Sequence, residues 1–203
     1  MSVDTYKTIK APTEGYFMDK RSKFYSFAYP VTSEEEIKEH LAVLKKKYYD
    51  ARHHVYAWIL GKDKEQYRIN DDGEPSGSSA KPIYGQLLSH DLTNIAIFVV
   101  RYFGGVKLGV PGLINAYRSA AQDAIQNAEI IEKIVEDYYE LRYDYLMMND
   151  VMKIVKDDSL DIVSQKFDNM CNIVFRTRQC NSEKIKSRFE NLLGVNVQFL
   201  KTV

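Results

Sequence analysis

A turn-rich segment of the sequence, residues 71–82, gathers several side chains that could carry chemistry. Its carboxylates belong to Asp71, Asp72 and Glu74, and such groups can ligate a metal ion or act in acid–base catalysis. An aspartate just before a glycine also commonly accepts hydrogen bonds from its own turn. We favour this turn interpretation, while a metal site and a catalytic role remain as alternatives.

Serine and histidine side chains in the same region raise the question of a nucleophile with a neighbouring base. Ser76 is one of three serines in the segment, and His53 and His54 lie upstream. The sequence contains no Gly-x-Ser-x-Gly elbow, so we expect the serines to satisfy backbone groups of the loop. Adjacent residues on a strand point to opposite faces. One histidine is therefore expected inside the fold and the other at the loop face, which disfavours a shared metal ion.

A second segment, residues 101–112, is rich in glycine and precedes a predicted helix. Amide N–H groups and a helix N-terminus in this position can hold an anion, and Arg101 and Lys107 would add positive charge. The spacing is not that of a Walker loop, and no Ser or Thr follows the lysine, which disfavours nucleotide hydrolysis. The alternative is tight packing of the loop on the helix, with Arg101 paired to Asp71 or Asp72.

Predicted strands and helices position these two segments. The unbroken apolar run 95–100 predicts a buried central strand between them, so we expect both segments to fold back and share one cleft beside the sheet. The other predicted elements are strands over 22–31, 54–60 and 66–69, a helix from Thr32 or Ser33 to the lysines at 45–47, a brief helix over 82–88, and a helix that opens at Pro111 or Gly112.

From about residue 134 the pattern resets and predicts strand, helix, strand, strand, helix, strand, which is the ferredoxin-like order. Ser182 is expected to cap the second helix, and Gly194 to end it. A group of four tyrosines in and just after the first strand could form an aromatic face that docks a partner protein, although packing within the sheet is favoured. These tyrosines are Tyr138, Tyr139, Tyr143 and Tyr145.

Composition excludes several functional classes. The 203 residues carry 28 Lys+Arg and 28 Asp+Glu, so a general polyanion binder is disfavoured and any nucleic-acid contact must come from a local patch. The sequence has no apolar run long enough to span a bilayer and no signal-peptide pattern at its start. Cys171 and Cys180 are expected at opposite ends of one strand, too far apart to bond, which fits the cytoplasm.

Four stretches of the sequence together resemble the YigZ/Impact family, in its bacterial two-domain form. They are 21–24 (Arg-Ser-Lys-Phe), 53–57 (His-His-Val-Tyr-Ala), 71–77 (Asp-Asp-Gly-Glu-Pro-Ser-Gly) and 100–109 (Val-Arg-Tyr-Phe-Gly-Gly-Val-Lys-Leu-Gly). The resemblance covers about residues 1–130 well. The sequence departs from the family pattern at Ser79-Ala80-Lys81, at Pro111 in place of glycine, and at Asn115 in place of arginine, which weakens a nucleic-acid role for the helix.

The resemblance implies an α+β protein of two domains. Residues 1–133 would form an α/β domain similar to the second domain of a small-subunit ribosomal protein. Residues 134–203 would form a ferredoxin-like domain similar to those of elongation factor G. No catalytic activity is established for the family. Its eukaryotic relatives regulate translation by binding an activator of a stress kinase, and its bacterial members are suspected of contacting RNA or the ribosome.

We therefore expect a non-enzymatic cytoplasmic factor, without cofactor or metal, that binds RNA, the ribosome or a translation protein. An enzyme acting on a small phosphorylated or peptide substrate and a pure protein-interaction module are the alternatives. The expected binding residues are Lys23, His54, Asp71, Asp72, Glu74, Ser76, Arg101, Gly104, Gly105, Lys107 and Arg118.

Overall fold

A computed structural model of the protein describes residues 4–203. The chain forms two compact units, one of Tyr6–Lys133 and one of Ile134–Val203 together with Asp4 and Thr5. Asp4 and Thr5 thus belong with the C-terminal unit and not with the segment that follows them. The Asp4 carboxylate accepts hydrogen bonds from Arg178 at 2.9 and 3.0 Å. The predicted α+β class is confirmed.

The N-terminal unit contains seven strands and three helices among its described residues. They are β1 (Thr5–Ile9), β2 (Thr13–Asp19), β3 (Ser22–Pro30), α1 (Glu34–Lys47), β4 (His53–Leu60), β5 (Gln66–Asn70), α2 (Ala80–Ser89), β6 (Ile95–Tyr102), α3 (Gly109–Gln126) and β7 (Ile130–Ile134). Five strands form an antiparallel sheet in the order β2-β3-β6-β4-β5, and β1 pairs with β7 separately.

The central strand β6 is buried on both faces, because helices cover the sheet on both sides. Ile97 and Val99 face a core built with α2 and α3. Phe98 and Val100 face the opposite core, to which α1 contributes Ile37. Because side chains alternate along a strand, each residue of β4 and β6 faces either the α2 and α3 side of the sheet or the α1 side.

Local sequence signals explain where α1 begins. The Ser33 hydroxyl accepts from the Glu36 N–H at 3.3 Å, and the Glu36 carboxylate accepts from the Thr32 N–H at 2.8 Å, so the helix is capped at its predicted start. Two other helix starts were predicted too late. The helix expected from Pro82 begins at Ala80, and the helix expected from Pro111 or Gly112 begins at Gly109.

Strands β1, β2 and β7 have no counterpart in the sequence-based prediction. Strand β2 is half exposed and lacks a clean apolar alternation. Its Gly15 lies against α3 so closely that an added Cβ would be 2.4 Å from the Ala124 nitrogen. The Ser26 hydroxyl, on the neighbouring strand, donates to the Ala120 carbonyl at 2.6 Å. Tertiary packing on α3, and not local pattern, thus positions this edge of the sheet.

The C-terminal unit has the predicted βαββαβ order. Its elements are β8 (Glu136–Tyr143), a short 3₁₀ turn (Tyr145–Met147), α4 (Met148–Asp157), β9 (Asp161–Phe167), β10 (Cys171–Arg178), α5 (Gln179–Glu190) and β11 (Val195–Thr202). The antiparallel sheet has the order β11-β8-β10-β9. Both cysteines are free, with Cys171 buried and Cys180 exposed on α5. No described helix is long and apolar enough to cross a bilayer.

Two expectations for this unit need correction. Ser182 does not cap α5, because the helix begins at Gln179 and Ser182 is buried inside it, where its hydroxyl lies 2.6 Å from that of Tyr139. The four tyrosines do not form one surface. Tyr139 and Tyr143 lie in the core, whereas Tyr138 faces the other side of the sheet beneath the Lys201 ammonium, 5.0 Å away. Sheet packing, the favoured interpretation, holds for the two buried rings.

Candidate functional site

Two loops of the N-terminal unit meet at one cavity of about 470 Å³. The first loop (residues 71–79) joins β5 to α2, and the second loop (residues 103–108) joins β6 to α3. The first loop contributes Glu74 and Pro75 to the cavity wall, and the second contributes Phe103, Lys107 and Leu108. The remaining lining residues are Arg52, His53, Arg101, Gly109, Val110 and Leu113. The two segments singled out in the sequence therefore share one cleft.

Asp71 holds the first loop together. Its carboxylate accepts from the Gly77 N–H at 2.9 Å, from the Ala80 N–H at 2.8 Å and from the Ser79 hydroxyl. Burial acts to raise the pKa of Asp71, but these hydrogen bonds outweigh it and leave the pKa below its ordinary value. Asp71 is thus a structural acceptor within the loop, as the turn interpretation expects.

A buried carboxylate and a buried guanidinium in the cavity wall form a hydrogen-bond network with a buried phenol. Arg101 Nη1 donates to Glu74 Oε1 at 2.6 Å, and the Tyr117 hydroxyl donates to the same oxygen at 2.8 Å. Arg101 therefore pairs with Glu74, and not with Asp71 or Asp72. Burial first, and then the Glu74 charge, raise the pKa of Tyr117 far above its ordinary range, so its hydroxyl remains a donor.

The two histidines point to opposite faces of β4, as strand geometry requires. His53 lines the cavity, with Nε2 3.9 Å from Glu74 Oε1 and Nδ1 2.8 Å from the Asp72 carbonyl oxygen. His54 is buried on the α1 side of the sheet. Burial lowers the pKa of His54, and the Asp72 carboxylate, 3.9 Å from Nδ1, only partly opposes this. The structure thus brings His53 to the cavity in place of His54, the histidine selected from the sequence.

Asp72 connects the first loop to β4 through both histidines. Its carboxylate accepts from the His54 backbone N–H at 2.6 Å, and its carbonyl faces the His53 ring. Asp72 does not line the cavity wall itself. Its positive φ of 43°, followed by 85° at Gly73, turns the chain so that Glu74 points inward.

The glycines of the second loop have different roles. A Cβ on Gly104 would lie 2.2 Å from the Arg21 carbonyl carbon and the Ser22 nitrogen, so this glycine allows the loop to pack against the turn between β2 and β3. Gly105 has a φ of 89° and open space around it, so the backbone conformation requires glycine there. For Gly104, the close approach is to the protein's own backbone, whereas a ligand contact had been expected.

The other expected binding residues lie outside this cavity. Arg118 lines a second cavity of about 500 Å³ together with Lys81. Lys23 is exposed on β3, and Ser76 is exposed in the first loop, and neither lines either cavity. Arg52, His53, Phe103 and Tyr117 were missed as binding residues, although His53 and Phe103 belong to the quoted motifs and Arg52 directly precedes one. Within residues 4–203, no three His, Cys, Asp or Glu side chains are grouped so as to hold a metal ion.

The chain is similar to one protein family and to a solved structure. The model of the Impact N-terminal domain matches residues 20–125. An IMPACT family member of Haemophilus influenzae is 31% identical over 83% of this chain and 82% of its own length. The IMPACT family member YvyE of Bacillus subtilis is 30% identical over 72% and 68%. A crystal structure of a hypothetical protein covers 98% of both chains with a TM-score of 0.73 at 23% identity, which shows a shared fold.

Proposed function

Because the chain belongs to the Impact family, we propose that it is a non-enzymatic cytoplasmic factor that binds RNA, the ribosome or a translation protein. Membership of this family supports a role connected with translation. The observation that carries the choice of partner is the local charge around the two cavities. RNA, alone or within the ribosome, is the partner whose chemistry best matches that charge.

Positive charge is concentrated at the cavities in a chain whose net charge is zero. The two cavities are lined by Arg52, Lys81, Arg101, Lys107 and Arg118. Among the described residues that line them, Glu74 is the single carboxylate, and Arg101 already neutralises it. With Arg101 matched to Glu74, the other four cations favour a polyanionic partner, because phosphate contacts supply most sequence-independent binding to nucleic acids. These cations form the local patch that a protein of zero net charge would need in order to bind nucleic acid.

The loops are held in place before any partner binds. Asp71 fixes three donors of the first loop and α2, and Gly104 packs the second loop against the turn after Asp19. A surface that is already ordered loses less conformational entropy on binding. A preorganised cationic cleft therefore supports a binding role, and the carboxylates serve mainly to orient the loops.

A catalytic role remains the second candidate, and one observation favours it. His53 Nε2 faces the Glu74 carboxylate at 3.9 Å inside the cavity, which resembles a base with an orienting acid. Glu74 is already occupied by Arg101 and Tyr117, however, which leaves it a weak partner for histidine. Turnover of small phosphorylated or peptide substrates by the wild type would favour a catalytic role if His53→Ala abolishes it while the fold stays intact.

The proposal is tested by gel shift with single-stranded RNA, and by co-sedimentation with ribosomes, at two salt concentrations. The double variant Lys107→Ala, Arg118→Ala removes two exposed cations at the cavities. We expect weaker binding and a salt dependence, log K against log[salt], shallower by about 1.4, which is roughly 0.7 for each lost phosphate contact.

The matched control is Lys38→Ala, Lys46→Ala, which removes two exposed lysines of α1 on the opposite layer of the sheet. It should bind as the wild type does. Equal loss in the two double variants would mean that net charge, and not the cavity cations, governs binding. Absence of RNA and ribosome binding by the wild type would reject RNA as the partner, alone or within the ribosome, and leave a translation protein.

A further inference from the structure

The two helices that start at the loops differ in how their N-termini are satisfied. At the start of α2, the Asp71 carboxylate accepts the Ala80 N–H. At the start of α3, the N-cap residue is Leu108, no side chain of the described residues caps the helix, and its first turn has no acidic residue. Uncapped amides and the helix dipole attract anions. Leu108, Gly109 and Val110 line the cavity, so this positive helix end faces it.

Arg101 supplies a second, independent indication of an anionic ligand. Its side chain lines the cavity but is only 7% exposed as a residue, and one terminal nitrogen binds Glu74. Its Nε is buried and has no hydrogen-bond partner within residues 4–203. A buried donor without a partner is costly, and more so on a charged group. Glu74 therefore leaves this guanidinium incompletely satisfied, and an oxyanion in the cavity beside Lys107 would add a second charge partner for it.

The cavity also has an aromatic and apolar wall. Phe103 is 54% exposed at the second loop, and its ring centroid lies 5.8 Å from the Arg101 guanidinium carbon. Val110, Leu113 and Pro75 extend the apolar surface. An exposed ring beside cations is the arrangement on which proteins stack unpaired nucleic-acid bases. The volume of about 470 Å³ lies in the range of small-molecule sites.

We propose that this cavity binds one unstacked nucleotide of single-stranded RNA. Its phosphate lies at the start of α3 beside Arg101 and Lys107, and its base stacks on Phe103. This inference rests on the proposed function and adds a specific ligand subsite to it. It assigns the anion to the end of α3, whose first turn has no acidic residue and where Arg101 already neutralises Glu74, and excludes the end of α2, which Asp71 already occupies.

The test is calorimetric titration of the full chain with adenosine 5′-monophosphate, with adenosine, and with inorganic phosphate. We expect the nucleotide to bind at least tenfold more tightly than either fragment. Phe103→Ala should weaken nucleotide binding about tenfold, within the range reported for loss of one stacked base, and should leave phosphate binding unchanged. Lys107→Ala should weaken both the nucleotide and phosphate.

Tyr49→Ala is the matched control, because Tyr49 is an aromatic residue that is 83% exposed and lies outside the cavity. It should bind the nucleotide as the wild type does. Nucleotide binding no tighter than that of phosphate, or unaffected by Phe103→Ala, would overturn the inference. Gel shifts on the same proteins separate the two claims. RNA binding without a nucleotide site rejects only the subsite, whereas nucleotide binding without RNA binding rejects the proposed function and leaves a site for free nucleotides only.

Discussion

Asp71→Ala should destabilise the N-terminal unit by disordering the first loop. The substitution removes one carboxylate that accepts from the Gly77 N–H, the Ala80 N–H and the Ser79 hydroxyl. Hydrogen bonds to charged groups contribute roughly 1.5–3 kcal/mol each in mutational series, and loss of a helix cap costs about 1 kcal/mol. Since the released amides regain water, we expect a total loss of about 2–4 kcal/mol.

Urea unfolding measures this loss through Trp58, the sequence's single tryptophan, which is buried on β4. Amide hydrogen exchange provides the local measurement, because Gly77 and Ala80 should lose protection before the sheet does. Asp63→Ala is the control, since Asp63 lies in the turn after β4 and its side chain is 66% exposed. A loss below about 0.5 kcal/mol, or unchanged exchange at Gly77 and Ala80, would refute the assigned role of Asp71.

Three further outcomes are expected. Glu74→Ala should lower the free energy of unfolding by about 3–5 kcal/mol, because it leaves the buried Arg101 guanidinium unpaired. Tyr117→Phe should lower it by only about 1 kcal/mol. Urea unfolding compares the two variants, and equal losses would contradict the pairing of Glu74 with Arg101. Gly104→Ala should destabilise the protein because the added Cβ would overlap backbone atoms. Gly85→Ala lies on α2 with open space around it and should stabilise the protein by about 0.5–1 kcal/mol. Thermal melts in which both variants shift Tm in the same direction would contradict this. The hydrogen bond from Arg178 is the main reason that the pKa of Asp4 falls from 3.8 to about 2. The stabilisation that the Asp4 carboxylate provides is therefore complete above pH 4 and is lost as pH falls toward 2. An Asp4→Asn variant should show a weaker decline of Tm over that range.

Local signals in the sequence were sufficient for the elements that depend on local physics. The Ser33–Glu36 cap fixed the start of α1, the apolar run of β6 identified the central strand, and the alternation in the C-terminal unit predicted its βαββαβ order. Strand β2 depends instead on close packing of Gly15 against α3, more than 100 residues away, and no local pattern reveals that contact.

The site was predictable in location but not in pairing. Glycine-rich and turn-rich segments indicated the two loops, yet the sequence-based prediction paired Arg101 with Asp71 or Asp72, and the structure pairs it with Glu74. The choice of Glu74 depends on the positive φ angles at Asp72 and Gly73, which turn its side chain inward. Tyr117 lies on the helix predicted after Pro111 or Gly112, and helical periodicity can bury its ring but does not determine the partner of its hydroxyl. The choice between His53 and His54 required the register of β4 on β6.

The most direct test of the central claim is amide NMR of the full chain titrated with a short uridine oligoribonucleotide. The cationic cavity predicts shifts concentrated in residues 103–112, which cover the second loop and the first turn of α3, with smaller shifts near Arg52 and His53. Shifts centred on α1, or no shifts at concentrations where the RNA is bound, would contradict the assignment of this cavity as the binding site.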